Sequence, residues 1–427
     1  MRNPLGLRRI KAAAVVCTGT ARVLARPAKR PFGAMETLAF WLVMRVQVFA
    51  KRLQRADLSI VGSDSPRVLL DGMIFQWSSH APGFGIARSW DRTMSEWSAS
   101  GFARHVVVLD RGRTAPRYKG FSYRRAPPVR ALNSATQRFV LEEICRVEAA
   151  VVFVSTYYTH PLRCRSILLL HDMTPEVLGW DLRDAPWKEK RSAIRHATSY
   201  IAVSESTVSD FRRVFPQETH KPLVVIKPGV DPVFYPAPRE EIESLAKTFG
   251  LPKHYFLFTG QRHGYKNAEL AFAAAAEFQT RTDMALLCVG GALALEPDLA
   301  DLAGDLVVRA ARLSDAQMRA AYSGAAALLY VSKYEGFGLP ILEAMACGCP
   351  VITCDNSSQK EVAGPVAVYV DDSDPAGLAR AMRHVLDDSV RAEMVAQGRK
   401  RSAEFVWTDK AAAVAEAVRE CARLERR

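Results

Sequence analysis

The chain has 427 residues, 49% hydrophobic and 24% charged, which excludes a disordered tract and leaves room for two ordinary domains. Its net charge of +13 is uneven, because residues 1–65 hold twelve Lys/Arg against three Asp/Glu. Eight scattered cysteines include no CxxC pair and no His/Cys cluster of zinc spacing, so they read as reduced cytosolic thiols, with Cys347 and Cys349 as small buried residues flanking Gly348.

Residues 1–66 are expected to form a basic extension. Within it, residues 35–55 place Leu38, Trp41, Leu42, Val46 and Phe49 at three- and four-residue steps, with Arg45, Lys51, Arg52 and Arg55 supplying a basic side. A basic amphipathic helix can lie in a bilayer interface; a helix packed on the protein, or an upstream start codon included in the reading, accounts for the pattern equally. The apolar run Leu38–Met44 is ended by Arg45, short of the roughly 20 residues of a membrane span. Ala12–Cys17 is too short for a secretory signal. The expected partner of residues 1–65 is an anionic membrane surface and not nucleic acid. The expected location is the cytoplasm, peripheral on the inner face of the cell membrane.

From Arg67 onward, strand-like runs at Val68–Phe75, His105–Asp110, Ala150–Ser155, Ser166–Leu170, Tyr200–Val203 and Leu223–Ile226 alternate with helical stretches, predicting a parallel-sheet domain over residues 67–226. Ala81-Pro-Gly-Phe-Gly-Ile-Ala-Arg follows the first strand. Gly83 and Gly85 there begin a partial G-x-G-x-x-G whose sixth position is Arg88. His171 and Asp172 end the buried strand Leu168-Leu-Leu-His-Asp, and Ser204 ends Ala202-Val-Ser. Residues 227–252, rich in proline, read as a linker followed by a short helix around Glu240–Phe249. A second α/β domain is expected over residues 253–405, with strands at Tyr255–Thr259, Ala285–Gly290, Leu306–Arg309, Ala325–Val331, Val351–Thr353 and Ala367–Val370. Residues 406–427 form a last helix. Two such halves predict a cleft at the C-terminal edges of their sheets, where ligands of open α/β folds bind.

The chemistry concentrates in the second half. Phe256-Leu-Phe-Thr-Gly-Gln-Arg-His-Gly-Tyr-Lys-Asn puts Arg262 and Lys266 after a buried strand and before a helix, a suitable place for a diphosphate. Ser332-Lys-Tyr-Glu-Gly-Phe-Gly-Leu-Pro-Ile-Leu-Glu follows another strand. Gly336 and Gly338 let the backbone turn tightly, and Pro340 suits the first helical turn, whose free N–H groups can receive a phosphate or a hydroxyl. Glu335 and Glu343 can accept hydroxyl groups from two different elements.

This stretch, continued by Glu343-Ala-Met-Ala-Cys-Gly-Cys-Pro-Val-Ile, resembles the E-x7-E motif of the GT4 family of retaining glycosyltransferases. The resemblance covers about residues 68–410. It implies the GT-B fold, two facing Rossmann-like domains. It also implies that Glu343 holds the nucleotide ribose and Glu335 contacts the donor sugar. The amides of Phe337, Gly338 and Leu339 would line its hydroxyls or phosphate, and Arg262 and Lys266 would bind the diphosphate and stabilise the leaving group without a metal. Gly83, Gly85 and Ile86 are similar to the family's GGI-x-R loop near the donor phosphates, although Phe84 separates the glycines. His171 would approach the sugar near its reacting carbon, and Asp172 and Ser204 would lie toward the acceptor. Ser357-Ser-Gln-Lys-Glu-Val-Ala-Gly resembles a family turn in which Glu361 is structural, and Trp407 matches the position where the last helix crosses back to the first domain.

The expected reaction is retaining transfer of a hexose from a nucleotide diphosphate sugar, first of all mannose from GDP-mannose. The expected acceptor is a saccharide or lipid-linked saccharide of cell-surface polysaccharide synthesis, and neither metal nor other cofactor is required. A metal-dependent transferase would use a DxD; Asp372-Ser-Asp374 has that spacing but reads as a late surface turn. An NAD-dependent oxidoreductase needs a complete dinucleotide fingerprint, which Arg88 interrupts. A non-catalytic nucleotide-sugar, membrane or nucleic-acid binding protein on the same fold would lose the cleft cations and acids present here.

Overall fold

The computed structural model describes residues 66–79, 85–126, 128–129, 135–277 and 284–424. The basic extension before them, with its amphipathic pattern, and Gly83 lie outside the described residues. The chain divides into two compact units: residues 66–203, 208–226 and 407–424 form the first, and residues 204–207 and 227–406 the second. Among the described residues, no helix is long and apolar enough to cross a membrane.

The first unit runs β1 (Val68–Asp71), α1 (Met73–Ser78), α2 (Gly85–Ser100), β2 (Val106–Arg111), β3 (Ser122–Ala126), α3 (Ala135–Val147), β4 (Val152–Ser155), β5 (Arg165–Leu170), α4 (Thr174–Val177), α5 (Ala185–His196), β6 (Ser199–Ala202), α6 (Glu205–Val214) and β7 (Leu223–Val225). Its seven strands lie in the order β3-β2-β1-β4-β5-β6-β7, and every pairing is parallel. Parallel strands need crossover helices, which cover both faces of the sheet and bury the strands between them. β1, β2, β4 and β6 are accordingly buried at every residue.

The expected strand Val68–Phe75 stops at Asp71. Gly72 N donates to Leu109 O at 3.0 Å, and a Cβ on Gly72 would sit 2.6 Å from that oxygen, so the chain turns there against β2. Met73–Phe75 then continue as a buried helix; a short apolar run does not distinguish strand from helix. Sequence reading also missed β3, a half-exposed edge strand of sequence Ser-Tyr-Arg-Arg-Ala without an apolar run.

The second unit runs α7 (Arg239–Phe249), β8 (His254–Thr259), α8 (Ala268–Glu277), β9 (Met284–Val289), α9 (Pro297–Ala303), β10 (Val307–Ala311), α10 (Asp315–Gly324), β11 (Ala327–Tyr330), α11 (Leu339–Ala346), β12 (Val351–Cys354), α12 (Gln359–Ala363), β13 (Val368–Val370), α13 (Pro375–His384) and α14 (Asp388–Ser402). Its six parallel strands follow the order β10-β9-β8-β11-β12-β13. Strand order reverses at β8 and β11, so their connections leave toward opposite sides and the C-terminal ends of these two strands mark the sheet's switch point. Phe256, Phe258, Phe272, Leu286, Leu329 and Ile352 anchor the core beneath them.

The last helix, α15 (Trp407–Arg423), counts with the first unit. Trp97 Nε1 of α2 donates to Ala411 O at 2.9 Å. Lys410 is 3% exposed, and its ammonium donates to Ser89 Oγ and Thr93 Oγ1 of α2, 4.8 Å from the Trp407 ring centre and 6.0 Å from that of Trp90. These partners are neutral, and burial pushes the ammonium from its usual 10.5 down to about 7. An unfolded chain therefore binds a proton between pH 7 and 10.5 that the folded chain does not. Stability is expected to rise with pH over that window, by about 1.4 kcal/mol per unit from this group. Chemical-denaturant unfolding of the protein and of Lys410→Met across pH 7–10 measures it: the slope should be shallower in the variant, and equal slopes contradict this account.

Candidate donor site

The loop after β8 and the loop after β11 meet through a backbone bond from Lys333 N to Tyr265 O (2.8 Å) and through an ion pair. Lys266 Nζ lies 2.6 Å from Glu335 Oε1. The rings of Tyr265 and Tyr330 bracket the ammonium at 5.2 and 5.3 Å. Burial alone lowers the lysine's proton affinity, but Glu335 and the two tyrosines outweigh it and hold the ammonium well above its usual value. Lys266 is therefore a permanent cation at physiological pH.

Its loop is locked by Asn267, which adopts the left-handed conformation (φ 59°) and donates through Nδ2 to Val331 O and Asp372 O, at 3.2 and 2.8 Å. Side-chain amides tolerate that conformation better than most. The Glu335 loop is pinned from the other side. Glu335 N donates to Ser357 Oγ at 2.9 Å, and Ser358 Oγ bonds Glu335 O and Phe337 O at 2.9 and 2.6 Å. Ser204 is fully buried, and its Oγ donates to Gly336 O at 2.7 Å, as Thr207 Oγ1 does at 3.2 Å. Ser204 thus holds the Glu335–Gly338 turn. Glu361 accepts from Glu205 N at 2.9 Å and pairs with Lys227, a structural use.

Gly338 is the N-cap of α11, at φ 124°, a conformation closed to most side chains. Gly336 has no positive φ, so the tight turn rests on Gly338 alone and not on both glycines as the sequence suggested. Pro340 sits in the first turn, and the first backbone bond runs from Ile341 N to Gly338 O (3.0 Å), leaving the amides of Phe337, Gly338 and Leu339 ahead of it at the positive end of the helix. Glu343 lies one turn into α11, half-buried, and Tyr322 OH donates to its Oε2 at 3.1 Å.

Arg262 departs from expectation. It is 2% exposed, and its guanidinium is committed elsewhere. Nε bonds Glu296 Oε2 (2.9 Å), Nη1 bonds Gly290 O (3.0 Å), and Nη2 bonds Ala292 O and Ala294 O (2.6 and 2.9 Å). A fork of five N–H donors matches a ring of carbonyls as well as it matches phosphate. Arg262 therefore fixes the loop after β9, and Lys266 is the cation of the expected pair that stands at the β8–β11 junction. Asp374, of the expected surface turn, caps α13 by accepting from Gly377 N (2.9 Å).

The remaining candidates belong to the first unit. Gly85 starts α2 and is exposed. His171 is buried at the end of β5, 3.4 Å from Thr156 O through Nε2, and burial pushes its imidazole down to about 4. Asp172 accepts from Thr174 N at 2.9 Å, and its backbone oxygen accepts from Lys190 Nζ, which also pairs with Glu176 at 2.7 Å. Asp172 thus shapes the start of α4. Tyr322 and Lys190 carry no motif in the sequence, and the stretch quoted from Ser357 onward assigned no role to Ser357 or Ser358. The seven described cysteines are all free and buried.

Residues 85–234 match the family described as Glycosyltransferase Family 4, and residues 253–388 match Glycosyl transferases group 1. Alpha-maltose-1-phosphate synthase of Mycobacterium tuberculosis is 29% identical over 334 residues, 69% of this chain and 85% of its own length. O-antigen chain mannosyltransferase B of Escherichia coli is 28% identical over 267 residues, 59% of this chain and 69% of its own. The crystal structure of Anabaena HepE in complex with UDP and glucose has a TM-score of 0.63 at 16% identity, covering 82% of this chain and 99% of that one. At that identity the likeness shows the fold, which is that of the GT-B glycosyltransferases.

Two measurements check the site. Replacing Arg262 by Ala strands Glu296 and the backbone carbonyls of residues 290–294, and is expected to cost about 3 kcal/mol in urea unfolding; an unchanged midpoint and slope contradict the clamp. Because His171 is held neutral, an NMR titration of its imidazole should show no protonation near pH 6.5, the value of an exposed histidine, and a transition only toward pH 4.

Proposed function

Since the chain belongs to the family-4 glycosyltransferases, its second half being their group-1 domain, we propose that it moves a hexose from a nucleotide diphosphate sugar to an acceptor hydroxyl with retention of anomeric configuration. The observation that carries this reading is the 2.6 Å pair of Lys266 and Glu335 at the β8–β11 junction, beside the helix start that leads to Glu343. A nucleotide sugar offers each member of the pair a new partner: diphosphate oxygens for the ammonium and sugar hydroxyls for the carboxylate.

In this mechanism the glycosidic bond to the diphosphate breaks through an oxocarbenium-like transition state, and negative charge grows on the departing phosphate. Lys266 and the amides of Phe337, Gly338 and Leu339 stabilise that charge. Glu335 orients the sugar, and Glu343 accepts from the ribose. His171 contacts the sugar as a neutral imidazole. Arg262 serves by holding the loop after β9 in place. The permanent charge on Lys266 supports a reaction without a divalent cation. The E. coli relative, an O-antigen chain mannosyltransferase, supports mannose as the sugar transferred; we take GDP-mannose as first donor and a saccharide or lipid-linked saccharide of the cell surface as acceptor. We further propose that the basic residues 1–65 hold the enzyme on an anionic membrane in the cytoplasm.

A thermal-shift screen against GDP, UDP, dTDP and ADP is the first test; a ligand at 100 times its Kd stabilises a protein by about 2.7 kcal/mol. No response to any nucleotide would sink the reading. Lys266→Ala and Glu343→Ala are each expected to lower transfer at least about a hundredfold, the scale for losing one electrostatic stabiliser, measured as sugar released or transferred from donor. Transfer should persist in excess EDTA.

A further inference from the structure

We propose that Tyr322 is a positioning residue for the donor's ribose: its hydroxyl bonds Glu343 Oε2 and thereby holds the Glu343 carboxylate in the orientation in which it meets the sugar hydroxyls of the nucleotide. The inference rests on the donor-site reading above and adds a residue from an element outside the two loops, the last turn of α10.

Tyr322 is fully buried, and its hydroxyl donates to Glu343 Oε2 at 3.1 Å. Burial, and then the negative charge of Glu343, push the phenol well above its usual range, so it remains a donor at every working pH. A donor aimed at a carboxylate makes a stronger hydrogen bond than a neutral pair does.

The position of that hydroxyl is set by the scaffold. Tyr255 OH donates to Ala321 O at 2.8 Å, and Ala237 N donates to Ser323 Oγ at 2.9 Å, so the residues on either side of Tyr322 are both held. Arg391 donates to Ala325 O and Ala326 O at 3.0 and 2.6 Å, closing the end of the helix. A Cβ on Gly324 would lie 2.6 Å from Ile242 Cγ2 and 2.8 Å from Tyr255 OH, so the helix end cannot be moved outward by a larger residue without displacing α7 or β8. Phe234 packs edge-on against the Tyr322 ring, 5.9 Å between centres at 77°. Glu343 itself sits on the other helix, α11, with its backbone oxygen bonded to Cys347 N at 3.1 Å. The hydroxyl is a preorganised donor supporting a binding group, the arrangement that keeps a site within a fraction of an ångström of its working geometry.

The experiment compares the full chain with Tyr322→Phe, Glu343→Ala and the double variant, using GDP, UDP and ADP as probes by calorimetry, and donor KM and kcat with whichever nucleotide sugar is turned over. Tyr322→Phe keeps the ring and its packing. It should weaken the nucleoside diphosphate and raise donor KM by about tenfold, with kcat within about twofold because no reacting bond is touched. In the Glu343→Ala background the same substitution should change affinity by less than about twofold, since its partner is gone. An unchanged KM in Tyr322→Phe, or an equal loss in both backgrounds, overturns the inference. Should Tyr322→Phe fail to fold, Glu343→Gln tests the hydrogen bond from the other side. The amide keeps an acceptor for the tyrosine, so affinity should fall less than in Glu343→Ala, and equal losses overturn the proposal. If Glu343→Ala binds nucleoside diphosphates as tightly as the unaltered chain, the donor-site reading fails rather than the role of Tyr322 within it.

Discussion

An ammonium taken largely out of water must keep an anion within reach, and at the ends of β8 and β11 that requirement ties two loops to one another. Lys266 and Glu335 retain 17% and 11% of their side-chain exposure, little enough for the attraction to be strong and enough for a ligand to arrive. Much of the neighbouring structure keeps this pair in register. Asn267 fixes the lysine's loop, Ser357 and Ser358 fix the glutamate's, and the tyrosine rings shut the sides. The corresponding junction of the first unit makes an instructive contrast. Asp71, at the end of β1, is bound by Arg111, with 0% and 5% exposure, and by Thr159 Oγ1. There the carboxylate is fully answered from within and closed to solvent, so it serves the fold. The same topology yields a structural knot in one sheet and a reachable charge pair in the other.

Much of this was legible in the sequence, and for identifiable reasons. Parallel strands are buried on both faces, so their apolar runs stand out; β8, β9, β11 and β12 fall within a residue or two of where the runs predict them. The glycine–proline signature around Gly338 and Pro340 marks a strand–turn–helix by backbone geometry alone, which is why α11 and its two carboxylates could be placed. Edge strand β3 was missed because an edge carries polar residues, and α1 because Met73–Phe75 are as apolar as a strand.

Arg262 shows a harder limit. In sequence it and Lys266 are two cations in one loop, and nothing in their spacing says which turns inward. The difference lies in partners that come from far along the chain: Glu296 and the carbonyls after β9 for the arginine, Glu335 for the lysine. Tyr322 is obscure for the same reason. A tyrosine near the end of a helix has no signature, and its meaning arises only when α11 brings Glu343 to its hydroxyl.

The first unit is discontinuous in the chain. Trp97 waits for the carbonyl of Ala411, 314 residues later, and Ser89 and Thr93 wait for Lys410. On a ribosome, the sheet of the first unit is synthesised well before the helix that covers α2, so Trp90 and Trp97 lack their final cover while the whole second unit is being made. Contacts of such long sequence separation form late and slowly. A chain truncated before Trp407 would therefore leave an apolar helix face on the first unit open, whatever the state of the second. The 17-residue helix Trp407–Arg423 at the far end of the chain is what completes the fold begun at Val68.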